Sequence, residues 1–162
     1  MKLFIYLFLF CSALAFASPK VGDYALYDFE VIQGKKDIQG TLEHEIINYD
    51  SSTNLYLVRV TYKLPNFPDR VDEEWWNLAN ENDYHDNLNH CGFFAGTREK
   101  ITVPAGTFEV CTLPNDIPGD FGSTSLWAFG VPFGGLVHSN VGIGNDFQRE
   151  NITRLRSFRL AK

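Results

Sequence analysis

The sequence predicts an all-β protein, an antiparallel meander of about eight or nine short strands in one domain, forming a barrel, a half-barrel or a curved sandwich. Apolar and polar residues alternate with period two over most of the chain, and turn-forming residues recur at close intervals. No long helical period and no βαβ alternation is present. The alternating segments are rich in β-branched and aromatic residues, which strands favour.

Alternation predicts the first three strands. Turn residues separate them at 34–37 and 50–54. In each strand one face is apolar and the other carries charged residues, as expected for half-buried strands. The residues predicted to face inward are Ala25, Tyr27, Phe29 and Val31 in strand 24–32, then Leu42, His44 and Ile46, then Tyr56, Val58, Val60 and Tyr62 in strand 55–63.

The later strands are predicted mainly from turn signals. Pro65 and Pro68 end the third strand, and residues 79–90 are predicted to form a loop or one short helix. The clearest hairpin joins 97–103 to 107–113, because Pro presets φ for the turn at 104–106 and Gly tolerates the next position. The remaining predicted strands are 70–78, 123–130, 135–141 and 146–158.

Residues 1–17 have the order of a cleaved signal peptide. Lys2 supplies a positive start, Leu3 to Leu14 is almost wholly apolar, and small residues flank Phe16 before a cleavage site near Ala17. The apolar run is shorter than the roughly 20 residues that span a bilayer. The sequence therefore predicts a secreted or periplasmic protein with a single β domain over 18–162 and no transmembrane segment in the mature chain.

Cleavage of that signal would remove Cys11 and leave Cys91 and Cys111. An even cysteine count in an exported chain predicts a disulfide, since the compartment is oxidising. The closed loop of about 21 residues would contribute roughly 3 kcal/mol in the chain-entropy model. Two free thiols or a metal pair are the alternatives, and a separation of this length is not a usual zinc spacing.

Charge argues against a nucleic-acid partner. The chain has 14 Lys and Arg against 20 Asp and Glu, a net charge of −6, and loss of Lys2 makes it −7. Residues 69–86 are strongly acidic and residues 149–162 are basic. The simplest interpretation is that both are solvated. The basic end could instead pair with the acidic stretch or touch another envelope component.

Two stretches resemble a known group of proteins. One is Ile101–Cys111, with its Val-Pro-Ala-Gly-Thr-Phe turn, and the other runs from Trp127 to Val137 through Val-Pro-Phe-Gly-Gly. Together they are similar to exported bacterial proteins of uncharacterised families that are thought to share the curved β-sheet of periplasmic lipoprotein carriers. The resemblance covers about residues 90–140. It implies a bacterial envelope context and a β fold, and it names no active site.

Histidines are the first candidates for chemistry. His85 and His90 lie in an Asp- and Asn-rich loop that could build a metal site, although the spacing matches no established ligand pattern and a solvated loop is the simpler interpretation. His44 is predicted to face inward, where it would line a cavity or be a core histidine satisfied by one hydrogen bond. No cofactor motif and no catalytic elbow is present in the sequence, and no metal site is predicted.

Aromatic residues make up 15% of the chain and are the feature that most favours a binding role. They either fill the core or line an apolar cavity for a lipid-like ligand. Trp75 and Trp76 cannot both point inward from one regular strand, so one of them should meet solvent, a partner or a bulge. The tentative ligand-binding residues are His44, Trp75, Trp76, Trp127 and Phe129.

The sequence favours a non-enzymatic exported β domain that binds an apolar ligand or an envelope protein. The alternative is a hydrolase or a metal-dependent enzyme that uses His44 or the His85/His90 loop.

Overall fold

The computed structural model describes residues 18–33, 36–78, 88–93, 95–112, 124–143 and 149–162. Within those ranges the chain forms nine strands, which confirms the all-β prediction. None of the described residues belongs to a helix with the length and apolar character needed to cross a bilayer. The strands are β1 Tyr24–Gln33, β2 Lys36–Asp50, β3 Leu55–Lys63, β4 Arg70–Trp76, β5 Thr97–Val103, β6 Gly106–Thr112, β7 Thr124–Trp127, β8 Leu136–Ile143 and β9 Arg149–Arg159.

Seven of these strands form one antiparallel sheet in the order β4-β3-β2-β1-β9-β8-β7. The sheet is open, with β4 and β7 at its two edges, so the closed-barrel alternative is wrong and the sandwich alternative fits. The hairpin β5–β6 forms a separate two-stranded sheet. Its Val103 and Val110 belong to the same core as the large sheet, so the hairpin is the second layer that covers the apolar face.

The apolar face, which we call the inner face, is built as alternation predicts. Ala25, Tyr27 and Val58 are fully buried there and Ile46 nearly so. Burial of such side chains contributes about 1.5–3 kcal/mol each, so the inner face is the main source of stability. The opposite, outer face carries most of the charged side chains of β1 to β3, and there Arg59 of β3 forms an ion pair with Glu73 of β4.

A bulge in β9 marks the attachment of the hairpin to the sheet. Tyr27 pairs with Leu155 and Leu26 pairs with Ser157, so Arg156 is the extra residue on β9. The Leu155 carbonyl, next to the bulge, accepts a hydrogen bond from the Ala105 N–H at 3.1 Å. The Pro-Ala-Gly turn of the hairpin is therefore bonded directly to a central strand of the sheet.

A disulfide joins Cys91 to Cys111, as the cysteine count predicts. The two half-cystines and Leu88 form a second small core, against which Trp127 and Phe129 pack. Gly96 lies so close that a Cβ there would be 2.6 Å from the Cys111 sulfur. The bridge therefore ties the segment before β5 to the end of β6.

Removal of this disulfide should destabilise the protein by about 3 kcal/mol. The bridge joins cysteines 20 residues apart, and closing a loop of that length lowers the conformational entropy of the unfolded chain by about this amount. The measurement is urea unfolding of the Cys91→Ala/Cys111→Ala double variant. Reduced wild-type protein is the control, since it keeps both side chains in place. A loss below about 1 kcal/mol in both samples would contradict the role given to the bridge.

Candidate functional site

His44 occupies a central position on the inner face. It lies on β2, between Ala25 of β1 and Val60 of β3 in the strand register. Both neighbours are buried. The inward orientation that alternation predicts for this histidine is therefore confirmed, and the imidazole is held among apolar side chains.

Three aromatic rings surround His44. The centroid distances from its ring are 5.2 Å to Trp76, 5.3 Å to Phe133 and 5.4 Å to Tyr27. The Trp76 and Phe133 contacts are edge-to-face, a favourable arrangement for aromatic pairs. We call these four residues the His44 cluster. They come from β1, β2, β4 and the segment before β8, so four separate parts of the chain converge on one imidazole.

His44 is partly buried as a residue, and its Nδ1 atom is inaccessible to solvent. Among the described residues, Nδ1 has no hydrogen-bond partner. Burial lowers the pKa of His44 from 6.5 to about 4, because the apolar surroundings disfavour the charged form. At neutral pH His44 is therefore an uncharged imidazole with one unused hydrogen-bonding atom.

Phe133 reaches the cluster through an unusual turn. Residues 131–135 are all buried, and three successive residues have left-handed backbone angles, with φ of 58° at Phe133, 70° at Gly134 and 80° at Gly135. The left-handed conformation costs about 1–2 kcal/mol at a residue with a Cβ. The turn is closed by a hydrogen bond from the Ala128 N–H to the Gly135 carbonyl, at 2.8 Å.

The sequence counts Phe133 among the aromatic residues that fill the core or line a cavity, but the ligand-binding residues predicted from it do not include Phe133. The available signal was an aromatic residue between a proline and two glycines. That pattern is typical of a backbone built to place one side chain, because glycines accept positive φ at no steric cost.

An aromatic row connects the cluster to solvent. Trp76 lies opposite Tyr56 in the β3–β4 register, and the Tyr56 ring is 4.6 Å from that of Tyr49. Tyr49 is 41% exposed. The Trp76 Nε1–H donates to the Glu74 carboxylate at 3.3 Å, which holds the indole at the edge of the sheet.

The other residues singled out from the sequence lie elsewhere. Trp75 is 48% exposed and Trp76 is part of the core, so the expectation that only one of the pair points inward is confirmed. Trp127 and Phe129 pack against the disulfide and not against His44. Of the five ligand-binding residues predicted from the sequence, only His44 and Trp76 belong to the His44 cluster.

The proposed metal loop lies largely outside the described residues, since residues 79–87, including His85, are not among them. His90 is described, and no cluster of three metal-ligating side chains occurs in the part of the chain that the structure covers. The metal alternative therefore stays a prediction from the sequence.

Comparison with known proteins does not add a family. No protein-family model matches the chain, and no curated protein matches it. The resemblance of its two Gly-containing stretches to exported bacterial proteins therefore stays a prediction. The site therefore has to be interpreted from its own chemistry, which is a neutral imidazole surrounded by the rings of Tyr27, Trp76 and Phe133.

Acid should destabilise the wild-type protein through His44. Unfolded His44 takes up a proton below pH 6.5, whereas folded His44 does so only near pH 4. The folded state therefore loses about 3 kcal/mol of stability relative to the unfolded state as pH falls from 6.5 to about 4. Comparing urea unfolding of wild type with His44→Leu across this range measures the difference.

His44→Leu should also raise stability at pH 7 by about 1 kcal/mol, because it removes a buried polar atom without a partner. His138→Gln is the control, since that histidine is only partly buried on β8 and its pKa is lowered less by burial and by Arg154. Identical acid dependence in wild type and His44→Leu would contradict the burial of a neutral imidazole.

Gly135→Ala should disrupt the turn that holds Phe133. Its Cβ would lie 2.3 Å from the Ala128 carbonyl oxygen, so we expect a loss of about 3 kcal/mol or more in unfolding free energy. Gly130→Ala is a matched control with nearly the same φ and open space around its Cβ. It should cost only the left-handed conformation, about 1 kcal/mol. Equal losses in the two variants would contradict the packing described here.

Proposed function

We propose that this chain is an exported, non-enzymatic β domain that binds an apolar ligand at the His44 cluster. The observation that supports the proposal most is the buried Nδ1 atom of His44, which has no hydrogen-bond partner in the described part of the chain and lies in a ring that contacts three aromatic side chains. Ligand sites are typically apolar with a few polar groups that fix orientation, and this arrangement has that composition.

The class of ligand follows from the free energy that is lost when Nδ1 of His44 is buried without a hydrogen bond. A buried polar group without a partner costs about 1–3 kcal/mol, and a ligand that bonds to it recovers this energy. Because the imidazole is neutral and resists protonation, an uncharged hydroxyl suits it better than an anion. The preferred ligand is therefore a long apolar molecule with one neutral hydrogen-bonding group, such as a fatty alcohol.

Access to the site requires a ring to move, since the Trp76 and Phe133 rings contact His44 and also each other, with 6.3 Å between the Trp76 and Phe133 centroids. Phe133 is the ring best placed to do so, because it lies on a short turn followed by two glycines, whereas Tyr27 and Trp76 are held in strands. The aromatic row from Tyr49 to Trp76 offers the ligand a route from the edge of the sheet.

Export is part of the proposal. The disulfide suits an oxidising compartment. The first 17 residues lie outside the described part of the chain, and their sequence has the order of a signal peptide. Both observations favour a periplasmic or secreted location, and the disulfide is the one that can be seen in the fold.

Catalysis by His44 is the weaker alternative. A general base works best when its pKa lies near the operating pH, and burial lowers the pKa of His44 well below neutrality.

An envelope protein as partner is favoured by a different observation. Val71 and Trp75 are both exposed on the outward side of the edge strand β4. Such a partner would leave the His44 cluster untouched.

A matched pair of probes tests the proposal. Decanol and decane share an apolar chain, and only decanol carries a hydroxyl. Wild-type protein should bind decanol about fivefold more tightly than decane, which corresponds to a hydrogen bond of about 1 kcal/mol. Native mass spectrometry counts the bound molecules, and tryptophan fluorescence reports the nearby Trp76.

His44→Leu should bind both probes with equal affinity, because it keeps the apolar volume and loses the nitrogen. Trp75→Ala is the control on the outer face and should leave both affinities unchanged. Absence of binding by either probe would contradict the proposal. If Trp75→Ala alone weakened capture of an envelope protein, the partner alternative would replace it.

A further inference from the structure

The outer face of the sheet carries a polar cleft that is separate from the His44 cluster. Its volume is about 490 Å³, within the roughly 300–1,000 Å³ typical of ligand sites. It lies where β2, β1 and β9 run side by side. The cleft is lined by Asp28, Phe29, Glu30, Gln39, Gly40, Thr41, Arg154 and Arg156.

Two ion pairs cross the cleft. The Arg154 guanidinium is 3.1 Å from the Glu30 carboxylate, and that of Arg156 is 3.3 Å from the Asp28 carboxylate. The Glu30 side chain is only 18% exposed, so its pair is the more shielded of the two. These two arginines of the basic C-terminal end pair with acids of β1. The sequence had left open a pairing with the acidic 69–86 stretch.

The strand register explains why these groups converge. Asp28 lies between Thr41 and Arg154 across the three strands, and Glu30 lies opposite Gln39. The bulge at Arg156 adds a second arginine to the same side without moving Leu155 from the core. The result is a set of planar donors and acceptors on one rigid surface, which is how sites achieve defined geometry.

We propose that this cleft binds a neutral polyhydroxylated ligand, namely a sugar unit of a polysaccharide. Its charges are already paired, so an anion would have to displace Glu30 from Arg154, and a cation would have to displace Arg154 from Glu30. A sugar hydroxyl avoids this competition, since it can donate to a carboxylate and accept from a guanidinium while both ion pairs remain in place.

The remaining lining suits the same ligand. The Gln39 amide and the Thr41 hydroxyl each offer a donor and an acceptor without charge. The cleft is open to solvent, so contacts are few and binding should be weak, with a Kd of about 1 mM. The inference does not rest on the proposed function, because the two ion pairs, Gln39 and Thr41 lie on the outer face and His44 lies on the inner face. Phe29 and Gly40 also line the cleft, although they occupy inner-face positions of the register.

Amide NMR titration tests the inference with named probes. Maltotetraose, cellotetraose and chitotetraose are neutral sugars, whereas inorganic phosphate and spermidine carry charge. At least one sugar should shift the amide signals of Glu30, Thr41 and Arg154 with a Kd of about 1 mM, and the two ions should not. Absence of such shifts with all three sugars, or shifts with an ion alone, would overturn the inference.

Variants assign the binding to the cleft. Glu30→Gln/Arg154→Gln removes both charges together and should weaken sugar binding about tenfold, because charge-assisted hydrogen bonds are lost. Thr41→Val keeps the side-chain shape and should weaken it about threefold. Arg98→Gln/Glu109→Gln is the control, an exposed ion pair on the hairpin. Equal effects in cleft and control variants would overturn the assignment.

Discussion

The whole architecture depends on covering the apolar inner face of an open sheet. The chain does this with the hairpin β5–β6 and with the buried turn at residues 131–135. One hydrogen bond, from the Ala105 N–H to the Leu155 carbonyl, attaches the hairpin to a central strand. That carbonyl lies beside the bulge in β9. At the bulge, Leu155 therefore bonds to the hairpin on the inner face, and Arg156 lies on the outer face.

The sheet therefore separates two kinds of chemistry. Its inner face holds one neutral imidazole among aromatic rings, where burial dominates. Its outer face holds paired charges that stay partly hydrated. Alternation along β1 sends Tyr27 to the first site and Asp28 to the second. A single strand thus supports an apolar cluster and a polar cleft, and neither interferes with the other.

Much of this was predictable from the sequence, for physical reasons. The bounds of β3 agree with the prediction because its alternation is strict and turn residues flank it. The inward position of His44 follows from the same periodicity. The pairing of β9 with β1 could not be predicted in this way. Alternation shows which face a side chain occupies, but it does not show which strand, more than a hundred residues away, lies alongside. Phe133 was missed because its left-handed φ depends on the packed turn around it. The bulge in β9 was missed as well, since an extra residue leaves little trace in a short apolar pattern.

We propose that the neutral imidazole of His44 binds a ligand through Nδ1. NMR observation of the His44 ring nitrogens during a pH titration of the folded protein is the sharpest test. We expect a pKa of about 4 for His44 and an Nδ1 signal that moves on addition of decanol. A pKa near the ordinary value of 6.5, or a ring already hydrogen-bonded at Nδ1 without ligand, would contradict it.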